Sequence, residues 1–358
     1  MKRKLILKTA LALGDVVLMT AAVRDLHRCY PGQFQTDVRT HFPDVWDFNP
    51  YLTHLEERDP GVQVIPCQYP LIDFSNSRPY HVIHGYIDFL NRTLGLDIKP
   101  TAFHGDIHLS EDERIWASQV HELAGSPIPF WIVSAGGKYD ITIKWWSTDY
   151  FQRVVEHFEN RIAFVQIGDF GHHHPKLEGT IDLRGQTSVR ELIRLVHHAQ
   201  GVLSPVTALM HLAAAVETKS GFPKNRPCVV VAGGREPPHW ESYPHHQFIH
   251  LVGALPCCAE GGCWKSRTYP LLDGDRRDTK ANLCVDVVES LPRCMMMITP
   301  EEVIRRIAMY YSGGILQFLT TAEKRAKAKG VDASQTNDYD QHSISRYNAP
   351  NRILSLIH

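Results

Sequence analysis

Residues 203–215 read Leu-Ser-Pro-Val-Thr-Ala-Leu-Met-His-Leu-Ala-Ala-Ala, and this stretch decides the fold. A short apolar strand ends in a turn, and a helix of small residues begins at about Thr207 and Ala208. The free N–H groups at the start of such a helix form an anion site. His211 lies one turn into the helix, where a structural role and a functional role both fit. The pattern is typical of the carboxyl edge of a parallel sheet, where ligands bind.

Strand-like and helix-like segments alternate on both sides of this stretch. The predicted strands are Lys4–Lys8, Phe34–Arg39, Val62–Pro66, Phe130–Ser134, Ile162–Ile167 and Pro227–Ala232. The predicted helices are Asp15–His27, Tyr80–Leu94, Thr148–Glu159, Ser188–Ala199 and Thr299–Tyr311. Such alternation predicts an α/β protein whose parallel sheets are covered by helices. Two successive sets of similar size predict two Rossmann-like doubly wound domains that face a cleft.

Length and composition limit the domain organisation and the partners. At 358 residues the chain is long enough for two to three domains. A proline-bracketed linker at 125–129 divides it into 1–124, 130–311 and a C-terminal helix and tail at 312–358. The net charge of −1 argues against a nucleic-acid partner. No apolar run is long enough to span a membrane, so we expect a cytoplasmic protein without stable membrane insertion.

Asp15 is the candidate catalytic residue. It follows Gly14 at the point where the first strand passes into the first helix. Glycine allows the backbone to approach a ligand closely, and the N–H groups of the helix start keep a carboxylate ionised. A carboxylate at this edge of the sheet is well placed to act as a general base. The alternative is that Asp15 merely caps the helix.

Two glycine-rich turns follow strands and are candidate phosphate-binding loops. The first, Ser134–Lys138, lies shortly before Lys144. The second contains Gly234 and Arg235, which together allow close approach to a phosphate and supply its countercharge. Each is also compatible with an ordinary turn. A run of three histidines at 172–174 is expected to form a solvent-exposed loop near the cleft.

Cysteines are concentrated near the C-terminus. Five of the eight lie between residues 257 and 294, namely Cys257, Cys258, Cys263, Cys284 and Cys294. A reducing cytosol disfavours disulfides, so the cluster points to a metal ion, zinc or iron, held by four thiolates. One cysteine is then spare, either Cys257 or Cys258. A closed site of four thiolates would be structural and would stabilise a loop-rich insertion.

Several of these segments together resemble glycosyltransferase family 9, the heptosyltransferase group. The matching stretches are Ala12–Val23, Leu183–Leu192 and Met210–Ala215, and the resemblance covers roughly residues 4–255. The lysine of the family's phosphate-binding loop matches Lys144. The cysteine segment is similar to the metal finger of the autotransporter heptosyltransferases, which modify protein, although its spacing differs.

The resemblance implies a GT-B fold and an inverting transfer from a nucleotide-diphosphate sugar such as ADP-heptose. It implies that Asp15 is the base and that Lys144 binds the diphosphate. Asp169 is the nearest match to the family's acidic donor contact. Where the family commonly has an aspartate before the turn, this chain has Val206, so the sugar stays open.

The expected donor site lies mainly in the second domain, over the helix that starts at Thr207. Lys144, His211, Gly234 and Arg235 complete it, and no catalytic divalent ion is needed because these groups offset the leaving charge. The acceptor can be a protein, a glycan or a small molecule. The alternative to an enzyme is a non-catalytic nucleotide- or sugar-binding protein of the same fold.

Overall fold

The N-terminal half is built on a parallel sheet of three strands in the order β2–β1–β3. The computed structural model describes residues 2–335, so most of the predicted tail lies outside it. The strands are β1 (Arg3–Thr9), β2 (Phe34–Thr40) and β3 (Val62–Pro66). Leu5, Ile6 and Leu7 of β1 are completely buried, because both faces of this central strand are covered.

Four helices accompany this sheet. They are α1 (Leu13–Cys29), α2 (His84–Leu94), α3 (Glu111–Ile115) and α4 (Gln119–Ala124). Three residues separate the end of β1 from the start of α1, so the helix start lies at the carboxyl edge of the sheet. Ser110 and Glu113 form a capping box at the start of α3, and α2 ends at Gly95 in the left-handed conformation.

The C-terminal half is built on a six-stranded parallel sheet in the order β6–β5–β4–β7–β8–β9. Its strands are β4 (Phe130–Val133), β5 (Ala163–Gln166), β6 (Ile181–Asp182), β7 (Gly201–Pro205), β8 (Cys228–Gly233) and β9 (His246–His250). β5 lies on one side of β4 and β7 on the other, so the strand order reverses between β4 and β7. Ligands of doubly wound sheets bind in the crevice at this switch point.

Helices cover both faces of the second sheet. They are α5 (Thr148–His157), α6 (Val189–His198), α7 (Ala208–Ala215), α8 (Pro238–Glu241), α9 (Arg293–Met296), α10 (Pro300–Ser312) and α11 (Thr321–Gln335). Alternate side chains of the strands enter two hydrophobic clusters, one on each face. Helix α6 begins at the predicted capping box, in which the Ser188 hydroxyl accepts from the Glu191 N–H.

The cysteine-containing segment forms mostly loops between β9 and α10. Its only regular strands among the described residues are the short antiparallel pair β10 (Val287–Val288) and β11 (Leu291–Pro292). Within residues 2–335, no helix combines the length and apolar character that crossing a membrane requires.

The prediction of an α/β protein with parallel sheets is confirmed by these two sheets. The division into units at 124 and 130 stays a prediction. Helix α11 returns from the C-terminal end of the described chain and packs against α4, so the last helix contacts residues on the N-terminal side of the predicted linker.

Candidate functional site

Asp15 lies in the first turn of α1 and is half-buried. Its Oδ2 accepts a hydrogen bond from the Ala12 N–H at 3.0 Å, and its Oδ1 accepts one from the Tyr69 hydroxyl at 2.5 Å. The carboxylate therefore caps the helix and also faces the carboxyl edge of β1. Burial, followed by the neighbouring Asp15 charge, raises the pKa of Tyr69, which stays a hydrogen-bond donor.

The starts of α1 and α7 meet face to face. A Cβ built on Gly14 would lie 3.0 Å from His211 Cδ2 and 3.6 Å from the Cα of Ala208, so a larger residue would push the two helices apart. Thr207 occupies the N-cap position of α7, and its hydroxyl lies 2.8 Å from that of Ser204. The contact places the predicted base and the predicted anion-binding helix in one cleft.

Lys144 and Arg235 converge on a buried carboxylate, Glu236. Lys144 Nζ lies 2.8 Å from Glu236 Oε1, and the Arg235 guanidinium donates to the same oxygen. Glu236 is only 1% exposed, and its Oε2 has no hydrogen-bond partner among residues 2–335. Burial favours the neutral acid, but the charges of Arg235 and Lys144 hold the pKa of Glu236 below its usual value. The carboxylate therefore keeps both cations at the switch point.

A second buried acid, Glu241, lies beside His211. Glu241 Oε2 is 3.7 Å from His211 Nε2, and His211 Nδ1 is 2.7 Å from the Tyr243 hydroxyl. Burial, and then the charge of Glu236, raises the pKa of Glu241 to about 8. Burial, and then the charge of Lys144, lowers the pKa of His211 to about 3. Both side chains are neutral at neutral pH.

The glycine loop after β4 is held by the histidine run. Gly137 and His173 exchange backbone hydrogen bonds at 2.8 and 3.0 Å, and a Cβ on Gly136 would overlap the His173 carbonyl. The His173 ring stacks on Trp145 at 4.1 Å, and His174 is buried. The expectation of a solvent-exposed histidine loop is therefore wrong, because the rings at 173 and 174 pack against this loop.

Asp169 lies in the loop after β5, the strand that pairs with β4. It is exposed and accepts a hydrogen bond from the Gly171 N–H at 2.8 Å. Its assignment to the donor stays a prediction.

Two of the five C-terminal cysteines have side chains that lie against the turn carrying Arg235. A Cβ on Gly234 would lie 3.1 Å from Cys258 Sγ, and one on Gly233 would lie 3.3 Å from Cys294 Sγ. Burial raises the pKa of Cys294 to about 12, and the charges of Cys263, Cys284 and Cys257 add to the increase. Within residues 2–335, no group of three or more His, Cys, Asp or Glu side chains meets the geometry of a metal site.

A cavity of about 850 Å³ opens at the carboxyl edge of the N-terminal sheet. Its walls include polar side chains from the ends of β1 and β2 and from the segment that follows β3; among them are Lys8, Thr9, Arg39, Thr40, His41, Gln68 and Tyr69. Tyr69 is also the residue whose hydroxyl donates to Asp15.

Four of the residues in this cleft were not singled out by their sequence pattern: Tyr69, Glu236, Glu241 and Tyr243. Glu236 directly follows the predicted Gly234–Arg235 turn, so its position in the sequence could have indicated a residue of the site. Glu241 and Tyr243 lie at and just beyond the end of a four-residue helix, where no periodicity marks a buried acid.

Comparison with known proteins adds to this geometry. Residues 71–221 match the model of glycosyltransferase family 9 (heptosyltransferase). No curated protein matches the chain. Three solved structures share the fold at low sequence identity.

The first is the iron-containing dodecameric glycosyltransferase TibC of enterotoxigenic E. coli H10407, which is 16% identical with a TM-score of 0.55 over 87% of this chain and 77% of that one. The second is the E. coli ADP-heptose lps heptosyltransferase II, which is 13% identical with a TM-score of 0.54 over 88% and 100%. The third is a family 9 glycosyltransferase of Veillonella parvula, which is 14% identical with a TM-score of 0.50 over 70% and 85%.

The parallel α/β architecture thus matches that of GT-B heptosyltransferases. Together with the family match over residues 71–221, the shared fold supports a glycosyltransferase, similar to the heptosyltransferases of family 9.

Proposed function

We propose that this protein is an inverting glycosyltransferase that moves heptose or a related sugar from a nucleotide-diphosphate donor to an acceptor hydroxyl. The observation that carries the proposal is the meeting of α1 and α7 at Gly14 and His211. This contact brings the carboxylate of Asp15 to the same cleft as the cations at the switch point of the second sheet. An inverting transfer needs a base on one side of the sugar and countercharge for the leaving group on the other.

Asp15 acts as the general base in this proposal. The acceptor occupies the N-terminal cavity, and Tyr69 connects the cavity wall to the Asp15 carboxylate. Asp15 removes the proton from the acceptor hydroxyl while the oxygen attacks the anomeric carbon. The Ala12 N–H and the Tyr69 hydroxyl orient the carboxylate for this step.

The diphosphate of the donor binds over the start of α7. The N–H groups of Ala208 and Leu209 at the start of α7, Lys144 Nζ and the Arg235 guanidinium together offset the charge that develops on the leaving group. Glu236 fixes both cations before the donor arrives. Because countercharge is supplied by side chains and helix N–H groups, the reaction needs no catalytic divalent ion.

The cysteine cluster suits a structural zinc or iron ion. Cys258 Sγ donates to the carbonyls of Leu251 and Leu255, so it is the spare thiol in this proposal. The charges of Cys263, Cys284 and Cys257 each add to the raised pKa of buried Cys294, which supports grouping these four thiols. The proposed ligands are therefore Cys257, Cys263, Cys284 and Cys294.

A metal ion there would stabilise the turn next to the donor site. The Cys263 N–H donates to the Gly234 carbonyl at 3.0 Å, and the Trp264 N–H donates to the Arg235 carbonyl at 3.1 Å. The Arg235 guanidinium also lies over the Trp264 ring, 5.0 Å from its centre. Thiolate ligation would fix this pairing.

Metal analysis of protein purified without added metal tests the cysteine assignment. Cys284→Ser is expected to lose the bound zinc or iron, whereas Cys258→Ser keeps it and serves as the matched control. Equal metal content in both variants would contradict the assignment.

Donor binding and donor cleavage by the purified protein test the proposed function itself. ADP-heptose at 100 times its Kd is expected to stabilise the fold by about 2.7 kcal/mol, and GMP at equal concentration is the control. Release of ADP from ADP-heptose, as transfer or slow hydrolysis, is the expected chemical result. Binding with no release of ADP under any acceptor condition would favour the non-catalytic alternative, and Val206 in the donor turn is the residue that favours that alternative.

A further inference from the structure

Glu241 carries a buried oxygen that has no hydrogen-bond partner within the described part of the chain. The residue is 7% exposed, and its Oε2 makes no hydrogen bond with any described residue. A buried acid without a partner carries a desolvation cost that a ligand hydroxyl would offset. The second buried acid, Glu236, has the same property, because its Oε2 also makes no hydrogen bond within the part of the chain that the structure describes.

Glu241 lies between the two halves of the proposed chemistry. Its Oε2 lies 3.7 Å from His211 Nε2, and the His211 ring in turn lies against Gly14, the residue before Asp15. In the proposed reaction, Asp15 deprotonates the acceptor and the two cations hold the diphosphate. The donor sugar must lie between the base and the diphosphate, which is the position that Glu241 borders.

His211 lies beside Glu241 and adds a second polar atom at this position. Its Nδ1 is occupied by the Tyr243 hydroxyl at 2.7 Å, which leaves Nε2 directed toward Glu241. The separation of 3.7 Å between His211 Nε2 and Glu241 Oε2 is too long for a direct hydrogen bond. It is the right separation for one bridging oxygen that contacts both atoms.

We propose that Glu241, together with His211 Nε2, binds hydroxyl groups of the donor sugar and so contributes to the choice of sugar. The inference rests on the proposed function and adds the residues that recognise the transferred group. Glu236 Oε2 is a further acceptor on the same side of the site.

The protonation states of the two acids match the chemistry of a polyol. Glu241 is neutral at neutral pH because of burial and the Glu236 charge, so it can both donate and accept. Glu236 is ionised because Arg235 and Lys144 touch it, so it only accepts. Sugar hydroxyls donate and accept, and neighbouring hydroxyls can therefore satisfy both acids.

Comparing ADP with ADP-heptose isolates the sugar contact. Glu241→Ala is expected to weaken ADP-heptose binding about tenfold and to leave the Kd for ADP within about twofold. Glu241→Gln keeps a neutral donor and acceptor, so its loss is expected to be smaller. Titration calorimetry measures both ligands, and thermal unfolding of each variant shows whether it is folded.

His239→Ala is the matched control. His239 lies on the same short helix, and its Nε2 contacts the Ser75 carbonyl at 2.7 Å. If Glu241 acted only by holding α8 in place, His239→Ala would also weaken ADP-heptose binding while leaving ADP binding unchanged. That result would contradict the inference.

The two proposals fail in different ways. A wild-type protein that binds neither ADP nor ADP-heptose would overturn the proposed function and the sugar contact with it. A wild-type protein that binds ADP-heptose more tightly than ADP, with an unchanged ratio in Glu241→Ala, would overturn the sugar contact alone.

Discussion

The two sides of the cleft hold their charges in different ways. On the N-terminal side a single carboxylate, Asp15, is half-buried and held by one backbone N–H and one tyrosine hydroxyl. On the C-terminal side two cations and two acids share a buried cluster, in which Glu236 bridges Lys144 and Arg235. The N-terminal side keeps its carboxylate partly accessible to solvent. The C-terminal side holds its two cations in place through Glu236 before any ligand binds.

This difference fits two different tasks. A general base must reach the acceptor hydroxyl and then release its proton to solvent, so partial exposure is useful. Groups that offset leaving-group charge act best when they are preorganised in a site of low dielectric, because no reorganisation is then needed during the reaction. The comparison predicts that changes on the two sides affect different steps.

The largest effect is expected from Asp15→Asn. Loss of the base should lower kcat for transfer by about 10²- to 10⁴-fold, while ADP-heptose affinity stays close to that of the wild type. Steady-state kinetics and calorimetry on the same preparation give both values. Asp149→Asn, in the first turn of α5 and exposed, is the control for removing a helix-start carboxylate. A variant with near-wild-type kcat would exclude Asp15 as the base.

Lys144→Gln should weaken nucleotide binding, whereas Asp15→Asn lowers kcat. It removes one cation from the diphosphate site, so ADP affinity is expected to fall about tenfold. It also leaves Glu236 with only Arg235, and the free energy of unfolding should fall by about 2 kcal/mol because a charged hydrogen bond is lost. Denaturant unfolding measures this loss, and Lys176→Gln, at an exposed lysine, is the control.

The pairing of Lys144 with Glu236 can be tested by a double variant. If the stability loss arises from the unpaired buried carboxylate, Glu236→Gln combined with Lys144→Gln should be more stable than the sum of the single changes predicts. Additive losses would mean that the two side chains act independently.

The sequence predicted the strands and helices that form this cleft better than the side-chain contacts inside it. Apolar periodicity and capping residues located β1, α1, β7 and α7, because those signals come from residues close together in the chain. Asp15 and His211 can be predicted as site residues for the same reason, since each lies near the junction of a strand and a helix.

The contacts between the two halves could not be predicted in the same way. Tyr69 reaches Asp15 across 54 residues, and Glu241 approaches His211 from a helix too short to show a period. Nothing local distinguishes an acid that will be buried from one on the surface. The histidine run shows the reverse error, because a polar triplet was expected in solvent and two of its rings pack inside.

Glu241→Gln is expected to change how the free energy of unfolding depends on pH. The folded state holds this acid protonated up to about pH 8, whereas the unfolded chain releases the proton near the ordinary pKa of 4.5. Stability contributed by the protonated form is thus complete below the unfolded pKa and is lost as pH rises toward 8.

Gln carries no such proton, so the variant should gain stability relative to the wild type between pH 5 and pH 8, by roughly 3 kcal/mol. Asp15, Lys144, Arg235 and Glu236 are the charged groups that face Glu241 and set this pKa. Unfolding at the two pH values measures the gain, and a constant difference between variant and wild type would contradict a raised pKa.

The smallest effect is expected from Tyr69→Phe, which changes the hydrogen bonding of Asp15 on the N-terminal side of the cleft. The change removes the 2.5 Å hydrogen bond to Asp15 and leaves the backbone bond from Ala12 in place. Because the carboxylate keeps one of its two orienting partners, kcat should fall only about threefold, with ADP affinity unchanged. Tyr86→Phe, which removes a neighbouring buried hydroxyl from the ring next to Tyr69, is the matched control. A loss as large as that of Asp15→Asn would mean that Tyr69 itself takes part in the proton transfer, and the N-terminal side would then hold a pair of groups instead of a single base.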